Sequence, residues 1–134
     1  MIKVNNILGG FIGGAIGGMA VDLIYISLAG PSGLFTLIGI TERCAVFGSH
    51  VVLGGFLGIL FSLILKKLPN FNIWLAGILW GLACLLFIGG IPSFIAKLPI
   101  SSITIFFGLL VWILYGLILA AIRKLLDKKN FKKG

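Results

Sequence analysis

Acid is scarce in this chain. Among 134 residues only Asp22, Glu42 and Asp127 carry carboxylates, and His50 is the single imidazole. With one imidazole and so few acids, no plausible set of metal ligands is present. Cysteine is scarce too. Cys44 and Cys84 lack the spacing of a metal or redox motif and are expected as small buried hydrophobes. Charged residues make up 10% of the chain, against about 25% in soluble domains, too few to keep a folded surface wet. Glycine is plentiful, but no Gly-Lys-Ser/Thr follows the glycine run, so it is not a phosphate-cradling loop. No nucleophile–base arrangement is visible. An enzyme is not expected, nor a cofactor, nor a bound metal.

What the chain has instead is apolar length. Hydrophobic residues reach 60% and the mean hydropathy is +1.22. Four apolar stretches, 7–29, 44–65, 73–91 and 102–122, take up most of it. Each is near the ~20 residues a helix needs to cross ~30 Å of hydrocarbon. The expected fold is all-α: a polytopic membrane protein in which four transmembrane helices form a bundle of two hairpins. Residues 1–134 make one transmembrane domain, with 123–134 as a basic cytoplasmic tail. Lys3 ahead of the first stretch and Ser27-Leu28-Ala29 at its end resemble a signal peptide. The run exceeds the usual ~7–15 residues and contains Asp22, so a retained span is expected.

Eleven Lys and Arg against three acids give a net charge of +8. With both termini cytoplasmic, nine basic residues lie inside: Lys3, Lys66, Lys67, Arg123, Lys124, Lys128, Lys129, Lys132 and Lys133. Only Arg43 and Lys97 lie outside, a strong positive-inside bias that predicts an inner-membrane protein with both ends in. Lys66, Lys67, Arg123, Lys124, Lys128 and Lys129 are placed to meet anionic headgroups, each worth ~1 kcal/mol of attraction. Nucleic acid is not an expected partner, because no folded domain is left to present to bases.

The inner connection, 66–72, is short and polar and predicts that the second and third helices are antiparallel neighbours. The outer connections, 30–43 and 92–101, are longer, apolar and Pro-bearing, as if lying along or dipping into the membrane. Pro31-Ser32 and Pro92-Ser93 hold matching places in the two halves, as a hairpin duplication would give. Thr41 and Ser101 are the expected N-caps of the second and fourth helices. Glu42-Arg43 reads as an exposed interfacial pair.

Gly9-Gly10, Gly13-Gly14 and Gly17-Gly18 recur every four residues, and Asp22 stands one step further in the same phase. Residues four apart lie above one another on a helix, so Gly10, Gly14, Gly18 and Asp22 share a row beside Gly9, Gly13 and Gly17. Similar rows mark the other spans: Gly54, Gly58 and Ser62 after His50, then Gly77 and Gly81, then Gly108, Gly116 and Ala120 around Trp112. Between helices in lipid, small residues permit close backbone approach, so glycine-zipper packing and an oligomer seam are expected. Trp74 and Tyr25 sit near span ends, where amphipathic rings prefer to be. Trp80, Trp112 and Tyr115 lie deeper, and their donors need a partner or a cavity.

Asp22 lies roughly 10 Å from the outer end of its span and His50 roughly 9 Å from the start of the next, by the rise per residue. Consecutive helices, similar depth and shared small-residue rows place the acid and the imidazole to meet, with Cys84 at a similar level. Such a pair can hold a proton near neutral pH, and an intramembrane acid marks a functional site by default. The expected function is translocation of protons, ions or a small solute through Asp22 and His50 by an oligomer. The alternatives are an accessory subunit docking its glycine flank on a larger membrane complex, and a holin-like permeabilising protein. Small multidrug exporters resemble the chain in length and in carrying one acid in the first helix. The pattern around that acid is not theirs, and no family is assigned on it.

Overall fold

The computed structural model describes residues 4–29, 39, 42–97 and 99–131, the side chains of 4–5, 25–29 and 128–131 excepted. These form four helices: α1 Val4–Ala29, α2 Arg43–Lys67, α3 Ile73–Ile95 and α4 Ser102–Phe131. All four are long and apolar enough to span a membrane. Lys3, Pro31, Ser32, Thr41, Lys132 and Lys133, and the side chains of Tyr25, Lys128 and Lys129, lie outside what is described.

Local chemistry sets the ends. Pro69 stops α2, and the Phe71 N–H closes a turn on the Leu68 carbonyl at 3.1 Å. Asn72 then caps α3, its Oδ1 accepting from the N–H groups of Trp74 at 2.9 Å and Leu75 at 3.4 Å. Ser101 caps α4 as its type predicts, accepting from the Thr104 N–H at 3.2 Å. At the start of α2 the capping position falls on Glu42, whose side chain makes no capping bond.

Two expected boundaries move. The third span continues past residue 91 because the chain widens into a π-turn over Leu85–Gly90. The Ile91 N–H reaches back five residues to the Leu86 carbonyl, immediately before Pro92. Proline has no N–H and its ring clashes with the carbonyl four residues back, so a wide turn ahead of it lets the helix run on to Ile95. Lys97 ends it in the left-handed conformation, φ +52°. The fourth helix also exceeds its predicted end, so 123–131 are helical.

Helix α1 packs along α2, α3 packs along α4, and α1 also lies on α4. Helices α2 and α3, expected as neighbours, meet through side chains, Phe61 lying 6.0 Å from Trp80 between ring centres, while their backbones stay further apart than in those three pairs. Their short connector ties only one pair of ends, while the bare glycine backbones draw the other pairs together. The space left is an apolar groove of about 200 Å³ lined by Phe61, Leu65, Leu68, Ala76 and Trp80 among others. Phe56, Phe87, Phe94, Ile103 and Phe106 point outward, whereas glycines, Asp22, Ser62, Tyr115 and Ala120 are inside. An apolar exterior around a small and polar interior is the distribution a lipid solvent selects. We read the chain as a multi-pass membrane protein.

Candidate functional site

The two glycine rows of α1 face different partners. A Cβ added at Gly14 would run into the Gly54 carbonyl, and one at Gly18 into the His50 carbonyl. At Gly10 it would lie 2.6 Å from both the Gly58 carbonyl and the Ser62 hydroxyl. The row Gly10, Gly14, Gly18 thus lies on the backbone of α2. Gly9, Gly13 and Gly17 turn to α4 instead, where Leu126, Ile122 and Tyr115 fill the space a Cβ would need. A third close approach sets Gly77 and Gly81 of α3 against the Gly116 and Trp112 carbonyls of α4. The flank of α1 is therefore covered within the chain, and its seam with α2 leaves no room for a methyl group.

At the end of that seam the next residues in each row are Asp22 and His50. The structure brings them together: His50 Nδ1 lies 2.7 Å from Asp22 Oδ1. Each is seven residues from its helix end, Ala29 or Arg43, roughly 10 Å of depth at 1.5 Å per residue. Asp22 is 1% exposed, and its second oxygen, Oδ2, has no hydrogen-bond partner among the described residues. His50 Nδ1 also lies 3.1 Å from the Val46 carbonyl one turn back on its own helix. A buried carboxylate with one oxygen paired and one not is a costly arrangement in an apolar surrounding, and it can take up a proton or a small cation.

One turn along α2, Gly54 receives a group that sequence reasoning left without a partner. Tyr115 crosses from α4 beneath Gly17 and donates its hydroxyl to the Gly54 carbonyl at 2.8 Å. Its ring meets Trp112 edge-on, with centroids 5.7 Å apart. Tyr115 belongs to the same buried cluster as Val21, Phe61, Cys84, Val111 and Leu119. Cys44, expected to be buried, is exposed, because it is the second residue of α2 and faces outward there. Trp80 Nε1 is buried with no hydrogen-bond partner among the described residues.

Compared with known families, curated proteins and solved structures, the chain finds no match.

Lys66, Lys67, Arg123 and Lys124 gather at the opposite end from the pair. Lys66 and Lys67 close α2. On α4, Arg123 pairs with Asp127 at 3.3 Å, and Lys124 Nζ lies 5.3 Å from the centre of the Trp74 ring. A lysine over an indole at a helix end is an arrangement suited to a membrane interface. Glu42 and Arg43 are both exposed. Among the described residues no group of three His, Cys, Asp or Glu side chains could hold a metal.

Proposed function

We propose that this chain is a small inner-membrane protein that translocates a proton, an ion or a small solute by way of Asp22 and His50. The observation that carries the reading is the Asp22 carboxyl, 1% exposed, bonded to His50 through one oxygen and unpartnered through the other among the described residues. A pair serving only to fix helix register would be expected to satisfy both oxygens. On this reading the four helices form two hairpins, α1–α2 and α3–α4, each a glycine zipper, and Tyr115 joins them. Both termini are cytoplasmic, and the basic end meets anionic headgroups. Since the seam below the pair admits no water, passage requires α1 and α2 to part or the pair to be reached from the α4 side. The oligomer this reading includes, like docking on a larger complex, would use a face other than the covered flank of α1.

The test is flux in liposomes under a pH gradient and under single-ion gradients. Asp22→Asn keeps the side chain's shape and removes its charge, so flux should fall by about tenfold or more, the scale of losing a proton-handling group. Unchanged flux in a folded Asp22→Asn protein would make the pair a structural clasp.

A further inference from the structure

We infer that the species bound by this pair is a proton, taken up at His50 Nε2, while His50 Nδ1 keeps its hydrogen whether the ring is neutral or charged. As to cargo, this rests on the translocation reading; as to the ring, it stands on geometry alone.

His50 Nδ1 faces two oxygens at once, Asp22 Oδ1 at 2.7 Å and the Val46 carbonyl at 3.1 Å. A carbonyl oxygen can only accept, and so can an ionised carboxylate. Were Nδ1 bare, its lone pair would point at both. The hydrogen therefore stays on Nδ1 and is shared between them, which leaves Nε2 as the nitrogen where a proton arrives and leaves. The hold is double, once from the ring's own helix and once across the seam. In water the neutral ring prefers the opposite tautomer, so the site reverses an intrinsic preference.

The same geometry argues against a metal ion. Nδ1 is a donor here and cannot ligate. That leaves Nε2 and Asp22 Oδ2, with no third His, Cys, Asp or Glu beside them among the described residues. The neighbouring helices add little charge. Helix α4 brings Tyr115, whose hydroxyl is committed to Gly54, and α3 brings Cys84 in the same cluster. Glu42 and Arg43 stand at the start of α2, two turns from the ring. With Nε2 protonated, the imidazolium and the Asp22 carboxylate make a pair of no net charge. Loss of that proton leaves one negative charge in apolar surroundings, so the pair is built to be refilled by something as small as a proton.

Because His50 is the only histidine, histidine labelled with nitrogen-15 in the full chain, held in lipid nanodiscs, reports this ring alone. On the alkaline side of the titration the hydrogen should be on Nδ1 with Nε2 bare, and on the acid side both nitrogens should be protonated. A neutral ring carrying its hydrogen on Nε2, or a ring that never titrates, would overturn the inference. His50→Asn supplies the second arm, since its amide N–H can stand where Nδ1–H stands but cannot take up a proton. It should keep the Asp22 contact and lose proton flux by about tenfold or more. Proton flux equal to the parent's overturns the inference. If the parent passes ions but no protons, the inference fails and the translocation reading survives. If the parent passes nothing, the translocation reading fails and the labelled ring still decides which nitrogen holds the hydrogen. Should His50→Asn not fold, the labelled parent decides alone.

Discussion

Tyr115 is the residue on which the two halves of the bundle depend most. Its ring fills the place a Cβ on Gly17 would need, and its hydroxyl bonds the Gly54 carbonyl on the far side of α1. Tyr115→Phe removes the hydroxyl and keeps the ring. The cost should be about 0.5–1.5 kcal/mol, the scale of single hydrogen bonds in bilayers and in water. It should appear as a lower unfolding midpoint in detergent with the helical spectrum intact. Tyr115→Ala would also empty the space over Gly17 and should cost several times more. At this scale the Asp22–His50 contact was legible in the sequence, because each residue continues a four-residue row and helical period alone fixes its face. Tyr115 was not. Its partner depends on which helix covers the second glycine row, and spacing within one helix says nothing about its neighbour. Nor does spacing reveal the Val46 carbonyl, since backbone acceptors leave no residue-type signal.

Among the helices, glycine positions that look alike by composition carry unlike loads. Gly14→Ala would drive a methyl into the Gly54 carbonyl, whereas Gly48, on α2, has nothing within 4 Å of an added Cβ. The first change should destabilise by about 1–3 kcal/mol through overpacking. The second should be neutral or gain about 0.5–1 kcal/mol, since alanine restricts the unfolded chain more than glycine. Unfolding midpoints of the two variants in one detergent check the pair of signs. If Gly14→Ala were as stable as the parent, the α1–α2 seam would not be a close backbone contact. Four spans were readable from apolar length, and Ser101 from its capping chemistry. The extension of α3 to Ile95 was not, because Pro92 reads as a breaker unless a wide turn precedes it. Asn72 carries a visible capping signal, an amide just before an apolar run.

For the molecule as a whole, charge should decide orientation. Reporter fusions after Lys67 and Lys133 should read cytoplasmic, and fusions at Pro31 and Lys97 external, as the nine-to-two basic asymmetry requires. An external C-terminus would reverse the side from which Asp22 is loaded. The sequence suggested which helices follow one another but not which of them approach backbone to backbone. Short connectors constrain ends, and in lipid the closest packing goes to whichever backbones are barest. That spacing has a consequence for how the chain could be divided. Since the α2 and α3 backbones stay apart and meet through side chains such as Phe61 on Trp80, a break at Asn70 cuts a turn and no close backbone seam. The two fragments would still share the α1–α4 face and the Tyr115–Gly54 bond, so the fold is suited to reconstitution from separately encoded halves.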